Sequence, residues 1–557
     1  MIENEFTANI IIQVSSVILA ALAILVCFLR SKFEAILLVF MYGFSLLFGY
    51  LHFASMLKAF SKFIPNFNNF IYQAHSIDPS LVRSWSELAE WVMFVIAAVV
   101  VWGMFIAFRF VSEGSNVIRG AKLLSYEEML TQLKAGSKTS LLIGQFFIPE
   151  TLVARSLALI GEPGTGKTLI ILRLILSYFK RGEVLFCVDI GGDIYRKVGK
   201  EGDDLIAPTF QGSRDWSPFS EIKSFADSKA LASMMIDKAK GESGVWDAKA
   251  IDYASDLLDY CRMKKLTTNR DLMYLVRLAP QQELKEALHG TSSMKLFEVG
   301  SEKMLSNIQS IVSQNLAFFD LLDPDAGENA FSFRKWVRVR KTNLWLINDE
   351  SSSELTLPLR RLAVSLVIRE SLGLGEDRSR RINVILDELP ANGRIATLQN
   401  ALAQGRKFGL NFQLGFQSLS LLYSVYERDE AHAILGSVGH SVVLRTPDAE
   451  TAEYYSRAIG DSVTEREQIS VSKPNNVVTK QLLQDTQRAV MPTEIQSLKD
   501  LNGYIKFSGI GWAKIKIPIV KLGNKNQLIP KTFDDVFTDI VKEPVKPKVI
   551  NESLDAI

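Results

Sequence analysis

A largely parallel α/β sheet that carries a phosphate-binding loop, is interrupted by an all-helical insertion and is preceded by transmembrane helices is the architecture this sequence predicts. Three observations predict it. The octapeptide Gly161-Glu162-Pro163-Gly164-Thr165-Gly166-Lys167-Thr168 fits the pattern G-x-x-x-x-G-K-[ST] and lies between a short apolar run, 157–160, and a helical stretch, 169–179. Further strand-like runs at 184–190, 343–348, 382–387, 411–416 and 441–445 alternate with amphipathic stretches. Three long runs without a formal charge, 10–29, 35–57 and 91–108, stand ahead of them.

The loop implies a nucleoside triphosphate. Glycines let the backbone curl so that successive N–H groups converge on a phosphate, and the following helix offers its positive end. Lys167 reaches the terminal phosphates and Thr168 supplies a hydroxyl ligand to Mg²⁺, so the whole segment from Gly161 to Thr168 is the expected nucleotide cradle. Such a loop needs an acidic partner, and the run Val384-Ile385-Leu386-Asp387-Glu388 reads as a buried strand ending at a functional edge. There Asp387 would hold the Mg²⁺ shell and Glu388 would polarise the attacking water.

Composition sets this nucleotide site beside a membrane. The chain has 557 residues, 48% of them hydrophobic, which is too apolar for an ordinary soluble enzyme. Each of the three apolar runs is long enough to cross a hydrocarbon core of about 30 Å. Arg30 and Lys32 follow the first run and Arg109, Arg119 and Lys122 follow the third, whereas the N-terminus carries Glu3 and Glu5. Cytoplasmic loops prefer Lys and Arg, so three crossings with the N-terminus outside put the nucleotide domain in the cytoplasm and residues 58–88 in an external loop. A two-crossing alternative, with 35–57 at the membrane surface or re-entrant, leaves Arg30 and Lys32 outside. The acidic N-terminus and the lack of a small-residue cleavage site argue against a removable signal peptide.

The remaining elements fill out four regions: a membrane region 1–122, a nucleotide domain 123–220 and 330–523, an all-α insertion 221–329 and a tail 524–557. Within the insertion, Ala250, Ile251, Tyr253, Ala254, Leu257, Leu258 and Cys261 repeat at helical spacing. The segment 503–520 alternates about a Gly-Ile-Gly turn and reads as an antiparallel hairpin on the sheet edge. Residues 542–548, rich in Lys and Pro, read as a flexible tail. Cys27, Cys187 and Cys261 lack metal or redox spacing and read as small buried hydrophobes, and the five histidines form no ligand cluster.

Several segments in order resemble the TraD-type coupling ATPases of bacterial type IV secretion and conjugation, within the wider FtsK/HerA class of nucleic-acid pumps. They are Asp189-Ile190-Gly191-Gly192-Asp193, Trp216-Ser217-Pro218-Phe219, Asp387-Glu388-Leu389-Pro390, Gly405-Arg406-Lys407-Phe408-Gly409 and Gly415-Phe416-Gln417-Ser418. The resemblance covers about 123–518 and implies a RecA-like P-loop fold with an all-α insertion, ATP and Mg²⁺ as ligands and a homohexameric ring. It further implies a multi-pass protein of the bacterial inner membrane whose partners are single-stranded DNA, a relaxase or other secreted protein, and type IV secretion channel components. The third apolar run departs from family members that cross twice, and the long acidic C-terminal extension of some members has no counterpart here.

By the same resemblance Gln417 senses the terminal phosphate or attacking water, and Arg406 serves a neighbouring subunit's nucleotide as an arginine finger. The catalytic set is then Lys167, Glu388, Gln417 and Arg406, with Thr168 and Asp387 on the metal. Net charge is only +2, so DNA binding leaves no global footprint. The basic clusters at 334–341 and 378–381 are read as solvated surface first and as DNA-phosphate contacts second. The expected function is an ATP-driven motor passing single-stranded DNA with attached protein into a secretion channel. Its rivals are a pump for protein effectors only and a nucleotide-binding membrane scaffold with little hydrolysis.

Overall fold

The alternation of apolar residues along each strand decides how the sheet is covered. The computed structural model describes residues 117–134, 141–238, 243–472 and 477–531. The apolar runs 10–29, 35–57 and 91–108, the loop 58–88, Cys27 and the segment 542–548 therefore lie outside the described residues. No helix among the described residues is long and apolar enough to cross a membrane.

Fourteen strands are numbered in chain order: β1 (Val117–Gly120), β2 (Leu141–Ile143), β3 (Phe146–Ile148), β4 (Leu157–Ile160), β5 (Leu185–Ile190), β6 (Asp204–Ile206), β7 (Leu344–Asn348), β8 (Ile382–Leu386), β9 (Leu410–Phe416), β10 (His440–Val443), β11 (Asp461–Ser472), β12 (Val477–Arg488), β13 (Asn502–Phe507) and β14 (Gly511–Lys516). Nine form one sheet in the order β14-β13-β10-β4-β9-β8-β5-β7-β6. From β10 to β6 neighbours run parallel, while β13 pairs antiparallel with both β10 and β14. The hairpin expected on the sheet edge is thus present as β13–β14, turning at Ser508-Gly509-Ile510.

Strands β4, β7, β8 and β9 are buried at every position, as a parallel sheet covered on both faces requires. Period-two alternation sorts their side chains. Ala158, Ile160, Phe186, Val188, Leu344, Leu346, Val384 and Leu386 enter one core, and Leu157, Leu159, Leu185, Cys187, Trp345, Ile347 and Ile385 enter the other. The second core is covered by the helix Lys167–Lys180 through Ile170, Ile171, Leu174, Ile175 and Tyr178. Cys187 and Cys261 are both free and buried.

The first core continues without a break into a helical stretch. Helices Phe225–Met235, Ser243–Lys264, Asn269–Arg277, Gln281–Ala287 and Glu302–Asn315 follow one another without a strand. Ser224 with Asp227 and Thr268 with Asp271 form capping boxes that start two of these helices. Leu231, Ala254, Leu257, Leu258, Leu305 and Val312 share the core of the sheet face. The seam is Trp216, fully buried, whose ring lies 6.5, 6.3 and 6.4 Å from Phe318, Phe319 and Phe333. Its indole N–H donates to Glu221, and its carbonyl accepts from Asn269 at 2.9 Å.

The cluster at 334–341 is partly drawn into internal pairing. Arg334 meets Asp227 at 2.7 Å and Glu370 at 3.0 Å, Arg338 reaches Glu370 at 3.7 Å, and Trp336 and Val337 are buried. Burial opposes it, yet the Arg334 guanidinium and backbone donors hold the Asp227 carboxyl down to about 2. Arg334 is thus part of a structural ion network, while Lys335, Arg338 and Lys341 are exposed, in line with the solvated-surface reading. Residues 524–531, assigned to the tail by sequence, are seated on the domain. Asn526 donates to the Tyr195 and Gly199 carbonyls, Gln211 N–H donates to Ile529 O at 2.8 Å, and Leu528 packs on the second core above Gly192. A separate three-stranded sheet, β1-β11-β12, has no counterpart in the sequence expectations.

Candidate nucleotide site

The phosphate-loop segment leaves the carboxyl end of β4 between its two sheet neighbours. Gly161 N–H donates to Phe416 O at the end of β9, and Glu162 N–H donates to Arg445 O just past β10. Two glycine positions explain the sequence. A Cβ at Gly161 would lie 2.8 Å from Leu444 Cβ, and Gly164 turns at φ +81° with open space before it. Thr165 ties the loop to itself through its hydroxyl and the Glu162 carbonyl at 2.7 Å, and its own carbonyl accepts from Leu501 N–H at 3.1 Å.

Lys167, 8% exposed, opens the helix Lys167–Lys180 and donates from Nζ to the carbonyls of Gly161 and Glu162. Burial lowers its pKa from the ordinary lysine value, and the charges of Glu388, Asp387 and Glu162 oppose that shift. Thr168, half-buried, follows in the first turn. Asp387 and Glu388 follow β8, two strands from β4. Asp387 Oδ1 is buried without a hydrogen-bond partner, and burial raises its carboxyl while Lys167 draws it down. The orphan Asp387 oxygen and the half-buried Thr168 hydroxyl are oxygen donors of the kind a hard divalent cation takes, and the Lys167 ammonium suits phosphate oxygens.

Glu388 is held on two sides. Its Oε2 accepts from Gln417 Nε2 at 3.3 Å, and its carbonyl accepts from Asn392 Nδ2 at 2.8 Å. Burial raises its pKa, opposed by Gln417 and Lys167, with Asp387 adding to the rise. The β8–β9 contact leaves no room for a side chain at Gly415, where a Cβ would meet the Asp387 carbonyl oxygen at 2.0 Å. Lys167, Asp387, Glu388 and Gln417 therefore converge at the carboxyl ends of three adjacent strands, where ligands bind in open α/β sheets.

Arg406 does not join them. It lies in the turn Gly405–Phe408 ahead of β9, whose seven residues separate it from Gln417 by about 20 Å. It is exposed and has no side-chain partner among the described residues.

Two features were given no role in the sequence expectations, although Asp189 was among the segments that carry the resemblance. Asp189, the last residue but one of β5, which lies beside β8, is 1% exposed and accepts from Tyr195 N–H at 2.8 Å. Burial pushes its carboxyl up to about 7, with Asp387 and Asp193 adding to the rise and the Tyr195 N–H opposing it. The signal was present: an apolar strand, an acid and a glycine turn, repeating the logic of Asp387. The second is Arg445, which pairs with Glu162 of the loop and with Asp500 at 2.7 Å. Beside it Leu501 holds φ +63°, a strained conformation for leucine kept by its bonds to Thr165 and Ile517. No local pattern links 162, 445 and 501.

Comparison with known proteins agrees with this fold. The chain is 24% identical over 491 residues to the coupling protein TraD of Escherichia coli, covering 84% of this chain and 67% of that protein. To protein VirD4 of Agrobacterium fabrum it is 23% identical over 360 residues, 59% of this chain and 53% of that one. The chain thus spans about two thirds of the first relative's length and about half of the second's. Among solved structures, the bacterial conjugative coupling protein TrwB in an unbound form matches at TM-score 0.67 and 27% identity, covering 74% of this chain and 96% of that one. TrwB in complex with ADP and Mg²⁺ matches at TM-score 0.67 and 26% identity, covering 74% of this chain and 98% of that one. Residues 140–518, more than half of the chain, match the profile of the type IV secretion-system coupling protein DNA-binding domain, and the protein belongs to that family.

Proposed function

We propose that this chain is a membrane-anchored ATPase motor that couples DNA to a type IV secretion channel in conjugative transfer. The convergence of Lys167, Asp387, Glu388 and Gln417 at one sheet edge carries the reading, supported by TrwB structures with the ATP analogue ADPNP and with ADP and Mg²⁺. The cargo is single-stranded DNA with attached relaxase or another secreted protein. The apolar runs anchor the chain in the inner membrane, and the working form is a homohexameric ring.

Lys167 balances the charge of the terminal phosphates, and the loop N–H groups hold them in place. Thr168 and Asp387 are the residues that would hold Mg²⁺, which when bound neutralises charge developing on the phosphate oxygens. Glu388 accepts the proton of the water that attacks the γ-phosphorus in line as the bond to the β-phosphate oxygen breaks. Gln417 fixes the Glu388 carboxylate and orients that water. Arg406, too far from its own subunit's loop, serves the next subunit.

The test is ATP turnover of the protein with and without single-stranded DNA. Turnover should rise with DNA and with protein concentration, as assembly requires; turnover indifferent to DNA would overturn the motor reading. Crosslinks to protein alone during transfer would replace DNA cargo by protein effectors.

A further inference from the structure

The amino-terminal edge of the sheet carries a second guanidinium in the same situation as Arg406. Residues 375–381 lead into β8 and residues 405–409 lead into β9, and three links join these two turns. Asp377 N–H donates to Lys407 O at 2.8 Å, Arg380 donates to Phe408 O at 3.2 Å, and Lys407 meets Glu376 at 3.7 Å. The first turn is also fixed internally. The Asp377 carboxylate accepts from Ser379 N–H at 2.9 Å, Ser379 Oγ at 2.6 Å and Arg380 N–H at 3.2 Å, and Arg380 donates to Gly375 O at 3.0 Å.

The arginines of this cluster divide sharply. Arg380 is spent on the Gly375 and Phe408 carbonyls and on Asp377, and Arg381 on the Arg378 and Arg380 carbonyls and on Glu150. Arg378, between Asp377 and Ser379, is exposed and has no side-chain partner among the described residues. Arg378 and Arg406 each stand one residue from the bonded pair Asp377 and Lys407, so their Cα atoms are within about 13 Å. Two free guanidinium groups on one braced platform suit a single polyanion. The neighbouring acids do not quench them, since Glu376 and Asp377 are engaged with Lys407, Ser379 and Arg380.

We infer that Arg378 is a second arginine acting in trans, contacting the terminal phosphates of the nucleoside triphosphate bound by a neighbouring copy. The inference rests on the ring ATPase reading above. Arg406 and Arg378 then approach the transferred phosphoryl group together, and the bracing by Arg380 holds them ready so that little ordering is needed at the moment of reaction. A guanidinium offers a fork of donors that an ammonium lacks, so lysine is an incomplete substitute.

The test uses the full chain with Arg378→Ala, Arg378→Lys and, in parallel, Arg406→Ala. Arg378→Ala should lower kcat on the order of 10²-fold, with KM for ATP changed less than about threefold and the affinity for a single-stranded oligonucleotide unchanged. Arg378→Lys should fall between it and the parent. Mixing Arg378→Ala with Lys167→Ala should give more turnover than either alone, because the Lys167→Ala subunit still donates its Arg378. Parental kcat for Arg378→Ala, a loss not recovered on mixing, or a loss matched by weaker oligonucleotide binding would each overturn the inference, the last assigning Arg378 to DNA phosphates. Arg406→Ala separates this from failure of the ring reading. If it alone loses turnover and complements, only Arg378 is misassigned; if neither variant loses turnover, the ring reading itself fails.

Discussion

Gln417 Nε2 donates to Glu388 Oε2 across 3.3 Å, so the residue ending one strand holds the carboxylate that follows its neighbour. Glu388→Gln should bind ATP with near-parental affinity and lose about 10²- to 10⁴-fold in turnover, since the base is gone and the nucleotide cradle is intact. Nucleotide-binding fluorescence and phosphate release measured on one preparation check both halves. Gln417→Ala should cost less, about 10- to 100-fold, because the carboxylate remains and only its orientation is released.

The orphan Oδ1 of Asp387 predicts a metal dependence. Chelation of divalent cations should abolish turnover. Asp387→Asn, with one anionic ligand removed, should raise the Mg²⁺ concentration for half-maximal turnover by about tenfold or more. A Mg²⁺ titration of variant and parent decides it, and coincident curves would move the metal to another carboxylate.

Gly415→Ala pushes a methyl group against the Asp387 carbonyl, which a Cβ would meet at 2.0 Å. Overpacking at such a contact costs about 1–3 kcal/mol. Turnover should fall further than the stability loss explains, since the strand that moves carries Asp387 and Glu388. Urea unfolding and kcat measured together separate the two effects.

His440 is 1% exposed, with Nε2 against Leu152 O at 3.1 Å and Nδ1 accepting from Ser508 N–H at 3.4 Å. That arrangement fits the neutral ring with its proton on Nε2. Burial drives the pKa from 6.5 down to about 4, with Arg155 adding to the fall and the Leu152 carbonyl opposing it. Between those values the unfolded chain binds the extra proton, so stability from this residue is complete above about pH 6.5 and is lost as pH falls toward 4. The loss approaches about 3 kcal/mol. Subtracting the pH dependence of unfolding of His440→Gln from that of the parent should expose it, and identical profiles would refute it.

The seated segment 524–531 should report on the helix Asp193–Val198, whose Arg196 carbonyl accepts from Lys525 and Asn526 N–H at 2.7 and 3.0 Å. Leu528→Ala should lower stability by about 1–2 kcal/mol and speed amide hydrogen exchange across residues 191–199. Exchange unchanged there would mean the contact contributes little.

The sequence spoke most clearly where one strong period or one motif settled the matter. The phosphate loop and the runs that became β4, β5, β7, β8, β9 and β10 were legible because strands of a covered parallel sheet are predominantly apolar, and β4, β5 and β8 stop at a Gly or an acid. Residues 461–472 were not, since Asp461, Glu465, Arg466 and Glu467 give that strand no apolar run to detect. In the cluster at 334–341 the solvated reading fits the exposed Lys335, Arg338 and Lys341, whereas the pairing of Arg334 was not legible because Glu221, Asp227 and Glu370 are far away in sequence. In the site, Lys167 was readable from the phosphate-loop motif, Asp387 and Glu388 as residues past an apolar strand and Gln417 through the family resemblance, whereas Arg445 touching Glu162 is a product of strand order alone.

The buried Trp216 seam leaves one uninterrupted apolar mass between the sheet and the helical stretch. Such a mass has no hinge. Gln417 directly follows a strand whose Phe412, Leu414 and Phe416 belong to that mass, so close packing couples the site end of the strand to the helices. Freedom to move is therefore left to the surface loops outside that shared core, and the sheet and the helices respond to any load together.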